Sequence, residues 1–253
     1  MKKTLRLFFL VLLTCALYIP LKAQMGDKPL KVDYDKIEKF VQSQPEQFKT
    51  MILRFESGDS SLTIEELATL YYGSFFSTEY TYTGASQALV ELKKKEDYEN
   101  AMALCLKELG KSPCSIDLLF DAWLFAKNLG QDNSLYETRL NQVLSVILAS
   151  GDGREQKTAY KVVDISDEYF IIYAILGLNL RQQSLVGNCD VMTVFDEASP
   201  DDTVDIWFDV SLHLSALDKI FGGMDLDSKS HDSKAKKRGK KSKRKAEASL
   251  IVE

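Results

Sequence analysis

Histidine is almost absent: His213 and His231 are the only two in 253 residues. A His-rich metal centre is therefore not expected. Cysteine is also scarce. Cys15, Cys105, Cys114 and Cys189 have none of the C-x-x-C spacings that suggest zinc. The apolar run Leu7 to Ile19 falls short of the roughly 20 residues of a membrane span. Gly151-x-Gly153 is a turn signal without the strand, loop and helix context of a phosphate cradle. What remains is 45% hydrophobic and 27% charged, enough to build a core and too apolar for global disorder.

The net charge of −5 averages three unlike segments. Residues 1–23 hold four basic and no acidic residues. Residues 24–224 hold 18 basic and 32 acidic residues, net −14, and residues 225–253 hold ten basic and five acidic, net +5. Lys2, Lys3 and Arg6, the apolar run, and Leu21-Lys22-Ala23 follow the order of a secretory signal. Cleavage after Ala23 is expected. A lipoprotein acylated at Cys15 is the alternative, although Thr14 fits it poorly, as is an uncleaved anchor. After cleavage three cysteines remain, which cannot all pair within one chain. Buried free thiols are expected, with a Cys105–Cys114 bridge as the other option.

Residues 27–150 read as helical. Phe48, Met51, Ile52 and Phe55 fall on one helix face, as do Ile37, Phe40 and Val41, and Pro45 separates the two stripes. Thr63 and Glu66 form a capping box. Gly73 to Gly84 is rich in aromatics: Phe75, Phe76, Tyr80 and Tyr82 either pack on the core or form a ligand-stacking surface. Asp97 to Ala101, Leu104 and Pro113 resemble the second helix of a tetratricopeptide repeat, and the likeness covers about residues 83–130. It departs at Trp123, where a small residue is usual. A bundle with repeat-like hairpins is predicted, usable as a peptide-binding groove or merely as packed helices.

Residues 151–224 change period. Strands are predicted at Tyr160–Ile165, Glu168–Leu176, Cys189–Phe195 and Thr203–Val210, with Ser166-Asp167 as a tight turn. In the last of these, Val204, Ile206, Phe208 and Val210 face one way and Thr203, Asp205, Trp207 and Asp209 the other. The fold class is therefore α+β: a helical bundle followed by an antiparallel meander of about four strands, packed as one domain.

No residues assemble into a catalytic, cofactor or metal site by pattern. His213 alone makes no triad. Asp167 and Glu168 are expected in a turn. The acidic stretch Asp196, Glu197, Asp201, Asp202, Asp205 reads as a solvated loop without calcium-hand spacing. Asp205 and Asp209 beside Trp207 form either a recognition face or the wet side of the sheet. The tail residues Lys234, Lys236, Lys237, Arg238, Lys240, Lys241, Lys243, Arg244 and Lys245 are nine basic residues in twelve. Such a run is expected to be disordered and to attract polyanions.

The stretches Tyr34-Asp35-Lys36-Ile37, Leu67-x3-Tyr71-Tyr72-Gly73, Gly151-Asp152-Gly153, Asp167-Glu168-Tyr169, Gly177-Leu178, Gln183-Ser184-Leu185, Cys189-Asp190 and Trp207-Phe208-Asp209-Val210 form a combined pattern. Together they resemble an uncharacterised domain-of-unknown-function family, number 4919, of secreted proteins from Gram-negative bacteria. The resemblance covers about residues 30–222 and departs at Trp207, where tyrosine is expected. It implies secretion and a helix-then-strand order, and it brings no activity. The expected function is an exported protein-interaction or scaffold module. The rivals are a glycan-directed hydrolase using paired carboxylates and a polyanion binder anchored by its tail.

Overall fold

In the computed structural model, residues 29–81 and 84–221 are described. The leader at 1–23 and the basic run at 234–245, together with Cys15 and Tyr82, lie outside the described residues. The chain divides into a body up to His213 and a second unit from Leu214 onward.

Within the body, local capping sets the helix starts. Asp33 accepts from Lys36 N at 3.1 Å and opens α1 (Tyr34–Ser43). Pro45 stands at the first position of α2 (Pro45–Glu56), where its missing N–H costs nothing. The capping box at α3 (Ile64–Gly73) is formed: Thr63 N donates to Glu66 Oε2 at 2.8 Å and Glu66 N to Thr63 Oγ1 at 3.2 Å. Phe48, Ile52 and Phe55 are buried, as their spacing requires. Ser86, Asp97 and Ser115 cap α4 (Gln87–Lys94), α5 (Tyr98–Leu109) and α6 (Ile116–Asn128), and α7 (Ser134–Ser150) comes next. α5 packs on α6 and α6 on α7. The fully buried Ala101, Ala122 and Ala126 line this stack with small side chains. Tyr80 is buried with its ring centroid 6.2 Å from that of Phe48, so this part of the aromatic stretch is core.

The strand half is α+β as expected, with local corrections. The sheet has four strands in the order β1-β4-β3-β2. β2 (Asn179–Val186), β3 (Cys189–Asp196) and β4 (Ser199–Asp209) form the antiparallel meander. β1 covers only Tyr160–Lys161 and pairs parallel to β4, which makes the sheet mixed. The predicted turn at Ser166-Asp167 and strand at Glu168–Leu176 are instead helical: α8 (Ile165–Phe170) runs into a π-helical turn, Ile171–Ile175. Asp164 decides this. Its side chain caps the helix, while the Asp167 carboxylate accepts from Asp164 N at 3.2 Å. The strand Asn179–Val186 has no counterpart among the predicted strands, because almost none of it is buried.

The three cysteines of the body are free and buried. Burial pushes the thiols of Cys105 and Cys114 up to about 12, so both stay protonated and pack as small apolar groups.

Candidate functional site

The motif residues, scattered along the sequence, meet around α8 and β1. Tyr71 donates from its hydroxyl to Asp167 Oδ2 at 2.6 Å and accepts from Val163 N at 3.0 Å. Tyr72 donates to the Lys161 carbonyl at 3.1 Å, and its ring meets that of Tyr34 edge-on, centroids 5.5 Å apart. Lys161 Nζ reaches Asp209 Oδ2 at 2.7 Å. Burial works against ionisation of Asp209, but the bonds from Lys161 and Ser211 hold it below the ordinary carboxylate range. Asp209 is therefore a partly buried ion-pair partner, and not the exposed residue that both readings of the strand pattern, a recognition face or the wet side of the sheet, expected. Trp207 N donates to the Gly153 carbonyl at 2.8 Å. These motifs hold one another in place.

Behind this knot lies a group of carboxylates. Asp167 and Glu168 are 1% and 0% exposed, and Asp190 of β3 is also buried. Neither oxygen of Glu168 has a hydrogen-bond partner among the described residues. Burial, reinforced by the charges of Asp190, Asp167 and Asp164, pushes Glu168 up to about 9. It is a neutral acid at physiological pH. Among the described residues no group of three or more acids, cysteines or histidines is arranged to hold a metal ion. His213 Nδ1 lies 4.0 Å from Asp164 Oδ2, a loose contact and no part of a triad. A groove of about 340 Å³ lies between α1, α2 and α3, lined by Leu30, Ile37, Phe40, Met51 and Ala68. Of its three acids, Asp33, Glu65 and Glu66, the first and last are committed to helix caps.

From the buried acids a chain of bonds runs outward. Asp190 Oδ2 accepts from Gln183 Nε2 at 2.6 Å, and Gln183 Oε1 accepts from Tyr169 hydroxyl at 2.8 Å. It passes through β2, an edge strand of the sheet, and ends at Tyr169 of α8. Most of β2 is exposed, including Leu185 at 56% and Val186 at 44%. Next to it the π-helical turn exposes Tyr173 and Leu176, with Tyr169 and Tyr173 stacked. β2 carries one charge, Arg181, located where the register with β3 slips.

The opposite edge is protected. β1 pairs only with Phe208 and Asp209, and Trp207 N donates to the Gly153 carbonyl, so among the described residues the part of β4 before Trp207 is paired with β3 alone. That stretch carries Pro200, Asp201, Asp202 and Asp205, the proline and charges that discourage edge pairing. The expected acidic loop is in fact this strand and its turn. Val204, assigned to the buried face, is 55% exposed because β4 extends past the core here. Among the described residues the outer edge of β2 has no such protection, and it is the candidate functional site. Sequence reasoning missed it, since an edge strand with no buried face leaves no alternating pattern.

A family model described as "Domain of unknown function (DUF4919)" matches residues 35–219. Neither the curated proteins nor the solved structures contain a significant match.

Proposed function

Because the chain belongs to this domain-of-unknown-function family, we propose that it is an exported, non-catalytic interaction or scaffold module whose binding surface is the open edge of β2. The carrying observation is the contrast between the two edges of one sheet: proline and carboxylates guard β4, while Gln182 to Val186 carries no charge and lies exposed. Unpaired N–H and C=O groups on such an edge form a template for an added strand. Export rests on the basic, apolar and small-residue order of residues 1–23. A hydrolase reading has less support. Asp167 and Glu168 lie beneath the surface, out of reach of a substrate, and two of the three acids of the α1–α3 groove, Asp33 and Glu66, hold helix caps.

The test is retention of partners from cell-envelope extract by the mature chain, beside Leu185→Asp. Leu185 is exposed, so the variant should fold and lose the retained proteins. An unchanged set of partners would sink the reading. A second reading, polyanion binding, rests on the nine basic residues between Lys234 and Lys245.

A further inference from the structure

The β2 edge has an electrostatic direction. Register pairs Asn179 with Phe195, so the start of β2 lies at the β3–β4 turn. At that end Asp196 and Glu197 of the turn and Asp201 and Asp202 at the start of β4 are all exposed. None of the four belongs to an ion pair among the described residues. Arg181 is the one cation of β2, and it is occupied: its Nη2 donates to the Pro200 carbonyl at 2.5 Å and its guanidinium lies 4.9 Å from the Phe195 ring centre. The other end of β2 is apolar, with Leu185 and Val186 exposed.

Resting on the interaction reading above, we infer that β2 receives an extended segment of a partner protein that is apolar or uncharged along its length and basic at its C-terminal end. Antiparallel addition is the more stable mode. In that mode the added strand runs opposite to β2, so its C-terminal end arrives beside Asn179, at the end of the sheet where these carboxylates lie one and two strands in from β2. Its preceding residues lie along Gln183 to Val186, next to Tyr173 and Leu176. Main-chain bonds supply the affinity, and the lysines or arginines at the end set the orientation. A second copy of this chain fits less well, since its own edge strand brings no free cation to the acidic end.

The experiment uses the whole chain and short fluorescent peptides of alternating valine and threonine with amidated C-termini. One peptide ends in lysines, one begins with them, one ends in glutamates and one has no charge. Fluorescence anisotropy at low salt should show the lysine-ended peptide binding about tenfold tighter than the others, and added salt should close the gap. N-methylation of alternate amides, in both possible phases, should abolish binding in one phase, because that peptide cannot donate to the edge. Equal binding of all end charges would overturn the basic-end assignment and leave strand addition standing. Binding insensitive to both methylation phases, or unaffected by Leu185→Asp, would overturn the edge site itself. A dimer in sedimentation that the peptide does not dissociate would assign the edge to a second copy and reject the proposal.

Discussion

The hydroxyl of Tyr71, on α3, donates to the carboxylate of Asp167, on α8, at 2.6 Å across 96 residues of sequence. The same hydroxyl accepts from Val163 N, so a single oxygen joins the helical half to the start of the strand half. Both residues are essentially unexposed. Tyr71→Phe removes this oxygen and keeps the ring. It leaves Val163 N without that acceptor and takes one donor from Asp167. A loss of about 1–3 kcal/mol is expected, read as a lower urea midpoint with an unchanged slope. An unchanged midpoint would show that the link contributes nothing.

Gly151 makes a different kind of join. A Cβ there would stand 2.2 Å from the Thr158 carbonyl oxygen, which is backbone and cannot swing aside. Gly151→Ala should cost about 1–3 kcal/mol. Gly110 is the control. It sits in ordinary helical conformation at the end of α5, and an added Cβ would meet nothing closer than 3.6 Å. Gly110→Ala should be neutral or stabilising by about 0.4–1 kcal/mol. Thermal melting of the two variants side by side decides the matter, and equal behaviour would contradict the close approach at Gly151.

The helices are legible in the sequence because their signals are local. Thr63 and Glu66, Pro45, and the Phe48, Ile52, Phe55 stripe each fix a boundary or a face without reference to the rest of the chain. The segment from Glu168 to Leu176 reads as a strand for a physical reason. Its apolar, β-branched run suits a buried strand and a buried helix equally. The deciding group is Asp164, whose cap lies upstream of the run and outside its pattern. β2 escapes for the opposite reason: Leu180 to Val186 packs little, so burial imposes no period on it. The candidate site is thus the least legible part, since its identity depends on which strands of the sheet lack neighbours.

The basic run makes a prediction independent of the edge. Deleting residues 225–253 removes ten basic and five acidic residues. The mature full-length chain should bind heparin–agarose and elute with moderate salt. The truncated chain, a body of net −14, should pass through, because sequence-independent polyanion binding follows cation number and is screened by salt. Retention of both forms at the same salt concentration would reject the tail as a polyanion contact.

Glu168 carries the pH prediction. Its folded carboxyl titrates at about 9 against an ordinary 4.5. Between these values the folded state holds a proton that the unfolded state has released, so rising pH favours unfolding. The stability tied to this proton is fully present below about 4.5 and is lost as the pH climbs towards 9. The groups that make ionisation costly are its burial and the neighbouring Asp190, Asp167 and Asp164. Glu168→Gln keeps the volume and cannot ionise. The wild-type melting temperature should fall across about pH 5 to 9, and that of Glu168→Gln should fall less. The variant should gain on the wild type most at the alkaline end. Parallel curves for the two proteins would mean that Glu168 finds a partner or water on ionisation. The chain of bonds from Asp190 through Gln183 to Tyr169 would then stand apart from any buried titration.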